Sequence, residues 1–434
     1  MTQSLRMMIF IILFLTSSKL FAQPVFPKCI SAPHGHYLLT SFYYTDDVIL
    51  HSATLNHYTA AVKHLDALLY SASYLGIIKD NGDFKLAKIT KQNLIVIRRW
   101  MREKKIHTKL ILSLGHWNPD KMCAVITQSS AQQHFINTLI AVLKNPHYNI
   151  GGVDIDWENY FSPQTDEVKK FDAFIKAIRS ALNENHLTNL CLSLDLPIAP
   201  HFAKQYPPPK EWAPYVDWAN LIAYEFYGGN PPYTELDSAL GNVTLPYAVQ
   251  YPDKAPDYPT ISIADTLSIY TDLGIPKRKL VIAWPLYGGM NYISNVNEAN
   301  HHGLREKIID DRPTITNSYA DIYYKYGIYG KAKKDAIVHQ YTFEQPDSTK
   351  GKHAYWITHL LLESKTVGRF YAFISYPDPK ATKETAEFVK EQGYLGLSAW
   401  QLAFDLSFDN RESLLRALYS ELHSKPSPSP HKRK

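Results

Sequence analysis

Three carboxylates, Asp154, Asp156 and Glu158, fall at alternate positions in the stretch IGGVDIDWENY (150–160), whose remaining residues have the character of a buried strand. Strand side chains change faces with period two, so all three acids project the same way, over about 13 Å at roughly 3.3 Å per residue. Ile155 and Trp157 then face the opposite side, toward packed apolar matter. Acids on an apolar strand are costly unless they are paired, hydrogen-bonded or partly neutralised. Closely spaced carboxyls cannot all ionise cheaply, so a proton is retained where a general acid needs one. A solvent-facing edge strand would carry the same residues with no chemical purpose. The residues at neighbouring strand ends weigh against that.

The elements that must position these acids follow from hydrophobic periodicity. Strands are expected at 37–44, 67–73, 109–114, 150–156, 190–196, 220–224, 280–284 and 395–399. Between them, helical spacing is expected at 92–104, 131–144, 165–185, 262–273 and 382–391, with a last helix at 411–422. Helix 165–185 carries Phe171, Phe174, Ile175, Ile178 and Leu182 as a core-facing stripe. Eight short apolar strands alternating with helices predict an α/β chain folded as a (β/α)8 TIM barrel. A doubly wound open sheet competes, but SFYYTDD stands where its Gly-rich phosphate loop belongs after the first strand. Residues 289–371 lack the barrel pattern, and a structureless loop that long is improbable. They are expected to form an inserted α+β subdomain between strands seven and eight, walling one side of the site. The barrel then occupies 23–288 and is completed by 372–424.

The 434 residues, 45% hydrophobic and 20% charged, suit one large globular domain with an insertion or two domains with cores of their own. The net charge of +5 comes from the ends: without Arg6, Lys19, Lys425, Lys432, Arg433 and Lys434 the body stands at about −1. That balance gives no argument for a nucleic acid partner. Residues 1–22 read as a secretory signal, with Arg6 before MMIFIILFLT and Leu20-Phe21-Ala22 before Gln23. The protein is therefore expected to be secreted, extracellular or periplasmic, with no stable membrane insertion after signal removal, and to be a monomer. The Ser/Pro/Lys tail 425–434 is expected to be disordered. Of three cysteines, Cys191 in LCLSLDL reads as a buried free thiol, and Cys29–Cys123 is the candidate disulfide. No spacing suits a metal, and His301-His302 read as surface residues.

In a barrel, reacting groups gather at the C-terminal strand ends. Glu158 stands there on strand four, with Asp156 and then Asp154 deeper. Other strand ends offer Ser113 and Trp117, Tyr224 and Glu225, Trp284 and Tyr287, and Trp400. An acidic floor among aromatic rings suits a sugar, whose apolar faces stack while its hydroxyls need carboxylates.

Taken together, these stretches resemble the family-18 glycoside hydrolases, the chitinase family. GGVDIDWE is similar to the DxxDxDxE signature, and Ser113-Leu114-Gly115-His116-Trp117 to SxGGW on strand three. Ile222-Ala223-Tyr224-Glu225 is similar to MxYD on strand six, and 274–288 to the GIPxxKLVxGxPxYG run into strand seven. FISYPDP at 373–379 resembles FxSYDDP after the insertion, and Trp400 the tryptophan ending strand eight. The common order of these matches through most of the mature chain makes the set specific.

The resemblance implies a retaining mechanism assisted by the substrate's own N-acetyl group, an exception to the two-carboxylate scheme. Glu158 would protonate the glycosidic oxygen, and Asp156 would hold the acetamido N–H. Tyr224 would bond the acetamido oxygen, Asp154 would share a proton with Asp156, and Trp400 would floor the reacting sugar. Trp117, Ser113, Glu225, Trp284 and Tyr287 would complete the substrate-binding surface. No metal or cofactor is implied. The substrate would be a β-1,4-linked N-acetylglucosamine polymer, chitin or chitooligosaccharide. Alternatives are an endo-β-N-acetylglucosaminidase, a peptidoglycan hydrolase, or a catalytically silent chitin-binding lectin. Four positions depart from the pattern: Gly151, His116, Glu225 and Gly289. Gly151 is expected to remove a buried acid that would tune Asp154, and Glu225 to lengthen a side chain at the acetamido contact.

Overall fold

The computed structural model describes residues 27–31, 35–45, 48–72, 75–115, 119–157, 166–226, 231–236, 238–241, 261–294, 296, 303–309, 314–326, 336–346, 354–364 and 371–424. Eight apolar runs form parallel strands: β1 Leu38–Thr45, β2 Ala67–Ala72, β3 Lys109–Leu114, β4 Gly152–Ile155, β5 Cys191–Leu196, β6 Trp218–Ile222, β7 Leu280–Pro285 and β8 Gly396–Trp400. Each pairs with its neighbours in sequence, and β8 pairs with β1, closing an eight-stranded barrel. The open doubly wound sheet is thereby excluded. Strands β2, β5, β6 and β7 are buried at every residue, as parallel strands covered on both faces must be.

The outer layer follows from helical spacing. Helix Asp166–Glu184 buries Phe171, Phe174, Ile175, Ile178 and Leu182 in the core shared with the outward faces of the strands. Five such side chains contribute on the order of 10 kcal/mol before chain entropy is counted. Helix Lys88–Glu103 buries Leu94, Ile97, Trp100 and Met101 in the same layer. Helix Pro379–Gln392 is held at both ends and so delivers the chain squarely to β8. The Asp378 carboxylate accepts the Ala381 N–H at 2.8 Å, and Gly393 takes the left-handed conformation, φ +73°, that stops it.

Inward-facing residues form a second, separate cluster at the N-terminal end of the barrel. Leu38, Leu69, Ile111, Trp218 and Val281 pack there with Cys29 and Ile30 of the segment that precedes β1. This packing corrects the cysteine expectation. The disulfide is Cys29–Cys191, with Cα atoms 5.3 Å apart, and Cys123 is not part of a disulfide. Cys191 is the first residue of β5 and points inward, where the 27–31 segment closes the barrel; Cys123 sits outside, on helix Pro119–Thr127.

Between β7 and β8 stands a five-stranded antiparallel sheet, ordered Ile315–Ser318, Tyr287–Ile293, Tyr371–Tyr376, Ala354–Ser364 and Ala336–Pro346, with helix Tyr319–Lys325 beside it. Its strands run beyond the expected 289–371 at both ends. A short hairpin, Gly76–Ile78 with Phe84–Leu86, follows β2 and had no periodic signal. Among the described residues no helix is long and apolar enough to cross a membrane, and no group of three or more His, Cys, Asp or Glu residues could hold a metal ion. The expected signal (1–22), the tail (425–434) and His301-His302 lie outside the described residues.

Candidate active site

Above the apolar plug the barrel interior turns polar, and Asp154 is its centre. Register places Ser113 of β3, Asp154 of β4 and Ser193 of β5 side by side on the inward face. Both serine hydroxyls donate to the Asp154 carboxyl, Ser113 to Oδ2 at 2.9 Å and Ser193 to Oδ1 at 2.6 Å. Asp154 is wholly buried, and burial is the main reason its pKa is pushed up to about 7. The charge of Asp156 pushes it further in the same direction, while the two serine hydrogen bonds pull it back. Burial and the neighbouring charge thus favour a proton on this carboxyl well above the usual carboxylate range.

Asp156 lies just past β4, partly exposed, with its backbone N–H still bonded to Leu114 O at 2.9 Å. Gly115 makes its position possible. A methyl group at 115 would stand 2.7 Å from Asp156 Cγ, so any side chain there displaces the carboxylate. Ile155 and Trp157 face outward and are buried, as the period-two reading requires. Glu158 and Trp117, with His116, lie outside the described residues.

A second buried acid shares the floor and was not singled out from sequence. Asp195, on the inward face of β5, accepts the Asn220 Nδ2–H at 2.7 Å. The same amide lies 3.5 Å from Asp154 Oδ1, and its oxygen is fixed by Trp218 Nε1–H at 3.1 Å. Asn220 thus bridges two carboxyls. The available signal was parity: in LCLSLDL, Cys191, Ser193 and Asp195 share one face, and that face is the inner one.

Aromatic rings line the mouth. Trp400, at the end of β8 and partly exposed, packs against Phe42 at 5.2 Å, Tyr44 at 5.8 Å and Tyr224 at 6.2 Å between ring centroids. Tyr224 in turn meets Tyr287 edge-on at 5.7 Å, and Tyr287 meets Phe404 at 6.1 Å. Glu225 is exposed and adopts φ +54°, a conformation costing a non-glycine residue about 1 kcal/mol or more. Tyr287 OH donates to its Oε1 at 3.1 Å, which ties the end of β6 to the first strand of the inserted sheet.

Three sequence expectations are corrected by this geometry. Ser113 is fully buried beneath the mouth and supports Asp154, so it does not belong to the sugar-facing surface. Trp284 points outward from β7, 2% exposed, and donates to Thr382 Oγ1 of the covering helix at 3.1 Å. Its even position puts it on the opposite face from Val281 and Ala283, so it is core. Gly151 precedes β4 on the outward parity, and a side chain there would meet the Lys109 stem at 3.2–3.3 Å rather than Asp154. The other departure, Gly289, is an ordinary strand residue paired with Thr316 and Ser375.

Comparison with known proteins agrees with this fold. Residues 40–405 match the family described as glycosyl hydrolases family 18. An endochitinase of Manduca sexta is 22% identical over 346 residues, 76% of this chain but only 57% of that protein's length. Among solved structures, a family-18 N-acetylglucosaminidase from Paenibacillus barengoltzii superposes with TM-score 0.65 at 18% identity, covering 89% of this chain and 99% of that one. A chitinase-like agglutinin from Robinia pseudoacacia gives TM-score 0.63 at 19% identity, covering 88% and 99%. At such identities the structural likenesses establish the fold, while the match through the barrel establishes the kinship. The chain belongs to glycosyl hydrolase family 18.

Proposed function

We propose that this protein is a secreted glycosidase that cleaves β-1,4-linked N-acetylglucosamine polymers, chitin or chitooligosaccharides, with retention and with help from the substrate's acetamido group. The observation that carries the reading is the vertical pair of acids: Asp156 partly exposed at the mouth, above an Asp154 that is buried between two serines and titrates near 7. A pair that shares one proton can take up and release charge as the reaction develops. Glu158, two residues beyond Asp156 in the sequence, gives its proton to the glycosidic oxygen. The acetamido oxygen attacks the anomeric carbon as the glycosidic C–O bond breaks and the protonated sugar leaves as an alcohol; the resulting oxazolinium ion is held by Asp156 and by the Tyr224 hydroxyl. Trp400 supplies the apolar surface under the reacting sugar. Water then opens the ion, and Glu158 recovers its proton.

Export is proposed from the signal-like residues 1–22, and the Cys29–Cys191 bond suits an oxidising compartment. A second reading, a sugar-binding protein without turnover, has Glu225 in its favour. The longer acid replaces the motif's aspartate and is drawn away to Tyr287. Hydrolysis of N-acetylchitooligosaccharides by the wild-type protein and by Glu158→Gln separates the two. The glycosidase reading expects turnover that falls by roughly three orders of magnitude in the variant while sugar binding persists. Equal inertness of both proteins with retained binding overturns it.

A further inference from the structure

The face of the barrel opposite Asp156 carries a feature that the proposed chemistry does not use. Helix Lys88–Glu103 enters β3 there through RRWMREKKIHTK (98–109), and helix Ser129–Leu143, the next to precede a barrel strand, enters β4 through 144–151. Between these two connections lies a cavity of about 700 Å³. Arg98, Arg99, Arg102, Lys105, His107 and His147 line it, and no carboxylate does. A second cavity, of about 530 Å³, shares Lys105 and His107 as a common wall and adds Lys63 and Lys109. Its only acid is Asp66, which is already engaged by His36 at 3.0 Å and by the Leu39 N–H at 2.9 Å.

Cations at helix C-termini are ordinary, because they offset the negative end of the helix dipole. Arg102 serves that role for Lys88–Glu103, and Lys144 lies at the end of the next helix. The dipoles account for those two and leave the others unexplained. None of Arg98, Arg99, Arg102 or Lys105 pairs with a described carboxylate; the side chain of Arg98 instead donates to Met101 Sδ at 3.5 Å. Arg98 is only partly exposed, and burial together with the neighbouring Arg102 pulls its pKa down. Like charges gathered in a concave site without counter-charge raise the local potential and favour an anion. The body of this chain is close to neutral, so the concentration is local.

We propose that the two adjoining cavities form a binding groove for a linear polyanion, one carrying phosphate or sulfate groups along its length. The shared wall makes the groove longer than one such group. Its place on the far side of the barrel lets the chain be held on an anionic polymer while the acid-lined mouth stays open.

The test titrates the full-length protein with inorganic polyphosphate, with heparin and with inorganic phosphate at low and at physiological salt. Binding of either polymer, much tighter than phosphate and weakened by salt, supports the groove; which polymer binds tells phosphate from sulfate chemistry. Arg99 and Arg102 are exposed, so R99E/R102E leaves the fold intact, with a small fall in Tm from reversing the charge at the helix C-terminus. It is expected to weaken polymer binding roughly tenfold or more, because two attractive charges become repulsive, without altering chitooligosaccharide hydrolysis. Polymer binding that R99E/R102E leaves unchanged overturns the proposal. So does failure to bind either polymer at low salt. Capture by phosphatidylglycerol vesicles without binding of soluble polymer would assign the face to a membrane surface instead.

Discussion

The two ends of the barrel interior are lined by the same strands at the same parity, and they do opposite work. Toward the N-terminal end the inward residues are Leu38, Leu69, Ile111, Trp218 and Val281, closed by Ile30 and the Cys29–Cys191 bond. One or two pleats higher on those strands stand Ser113, Asp154, Ser193, Asp195 and Asn220, all buried and linked by hydrogen bonds. The apolar end is stable by burial and covalent closure. The polar end places two carboxyls where ionisation is costly, and it relies on the rigidity below to hold them there. The candidate site is thus a buried polar layer resting on an apolar one.

That contrast can be broken from either end. The largest effect is expected at the apolar end. Replacing Cys29 and Cys191 with serine releases a loop of 162 residues, for which chain entropy gives a loss on the order of 5 kcal/mol. Chemical denaturation should show that loss, while kcat at moderate temperature stays within about twofold because no reacting group has moved. A fall in kcat without a loss of stability would mean that the two ends are not separable.

Asp154→Asn probes the buried polar layer through stability. The native carboxyl titrates near 7 and its unfolded counterpart near 3.8. The native state therefore binds the proton that the unfolded state has released. The resulting stabilisation is complete below pH 3.8 and is lost as pH rises through 7. Asparagine cannot titrate, so the wild type should lose stability relative to the variant across that window, by up to about 4 kcal/mol. Parallel stability–pH curves for the two proteins would contradict the raised pKa.

Smaller in energy but visible in rate is Gly115→Ala. Its methyl group would occupy the space beside Asp156 Cγ, and moving a reacting group by about 1 Å costs roughly 100-fold. Steady-state kinetics should show this in kcat, with Tm nearly unchanged. Wild-type turnover in this variant would remove Asp156 from the mechanism. The smallest effect belongs to Tyr287→Phe, which frees Glu225 from its one described hydrogen bond. For an exposed acid the bond is worth about 1 kcal/mol, so a several-fold change in KM is expected, with kcat within about twofold. A larger loss of kcat would give Glu225 a part in the chemistry.

Much of this arrangement was legible in the chain. Period-two alternation put Asp154 and Asp156 on one face and Ile155 and Trp157 on the other, because a strand admits only two sides. The stripe on 165–185 found its helix for the same kind of reason. Trp284 was misjudged although the rule that would have placed it was available: its parity against Val281 and Ala283 marks the outer face. The hairpin Gly76–Ile78 with Phe84–Leu86 was not legible, since three-residue strands carry no period to count.

What the sequence determined by itself is the eight barrel strands, their order and the two-sided parity along each of them, since these depend on local geometry alone. Whether the eight strands close, and in what register, was decided by tertiary structure. Register is what sets Ser113 and Ser193 beside Asp154 and joins Asn220 to Asp195. Closure is what brings Cys29 to Cys191 across the barrel and Trp400 to Phe42 and Tyr44 at the seam between β8 and β1. A shift of one residue along any strand would leave the composition untouched and turn every one of its side chains to the other face.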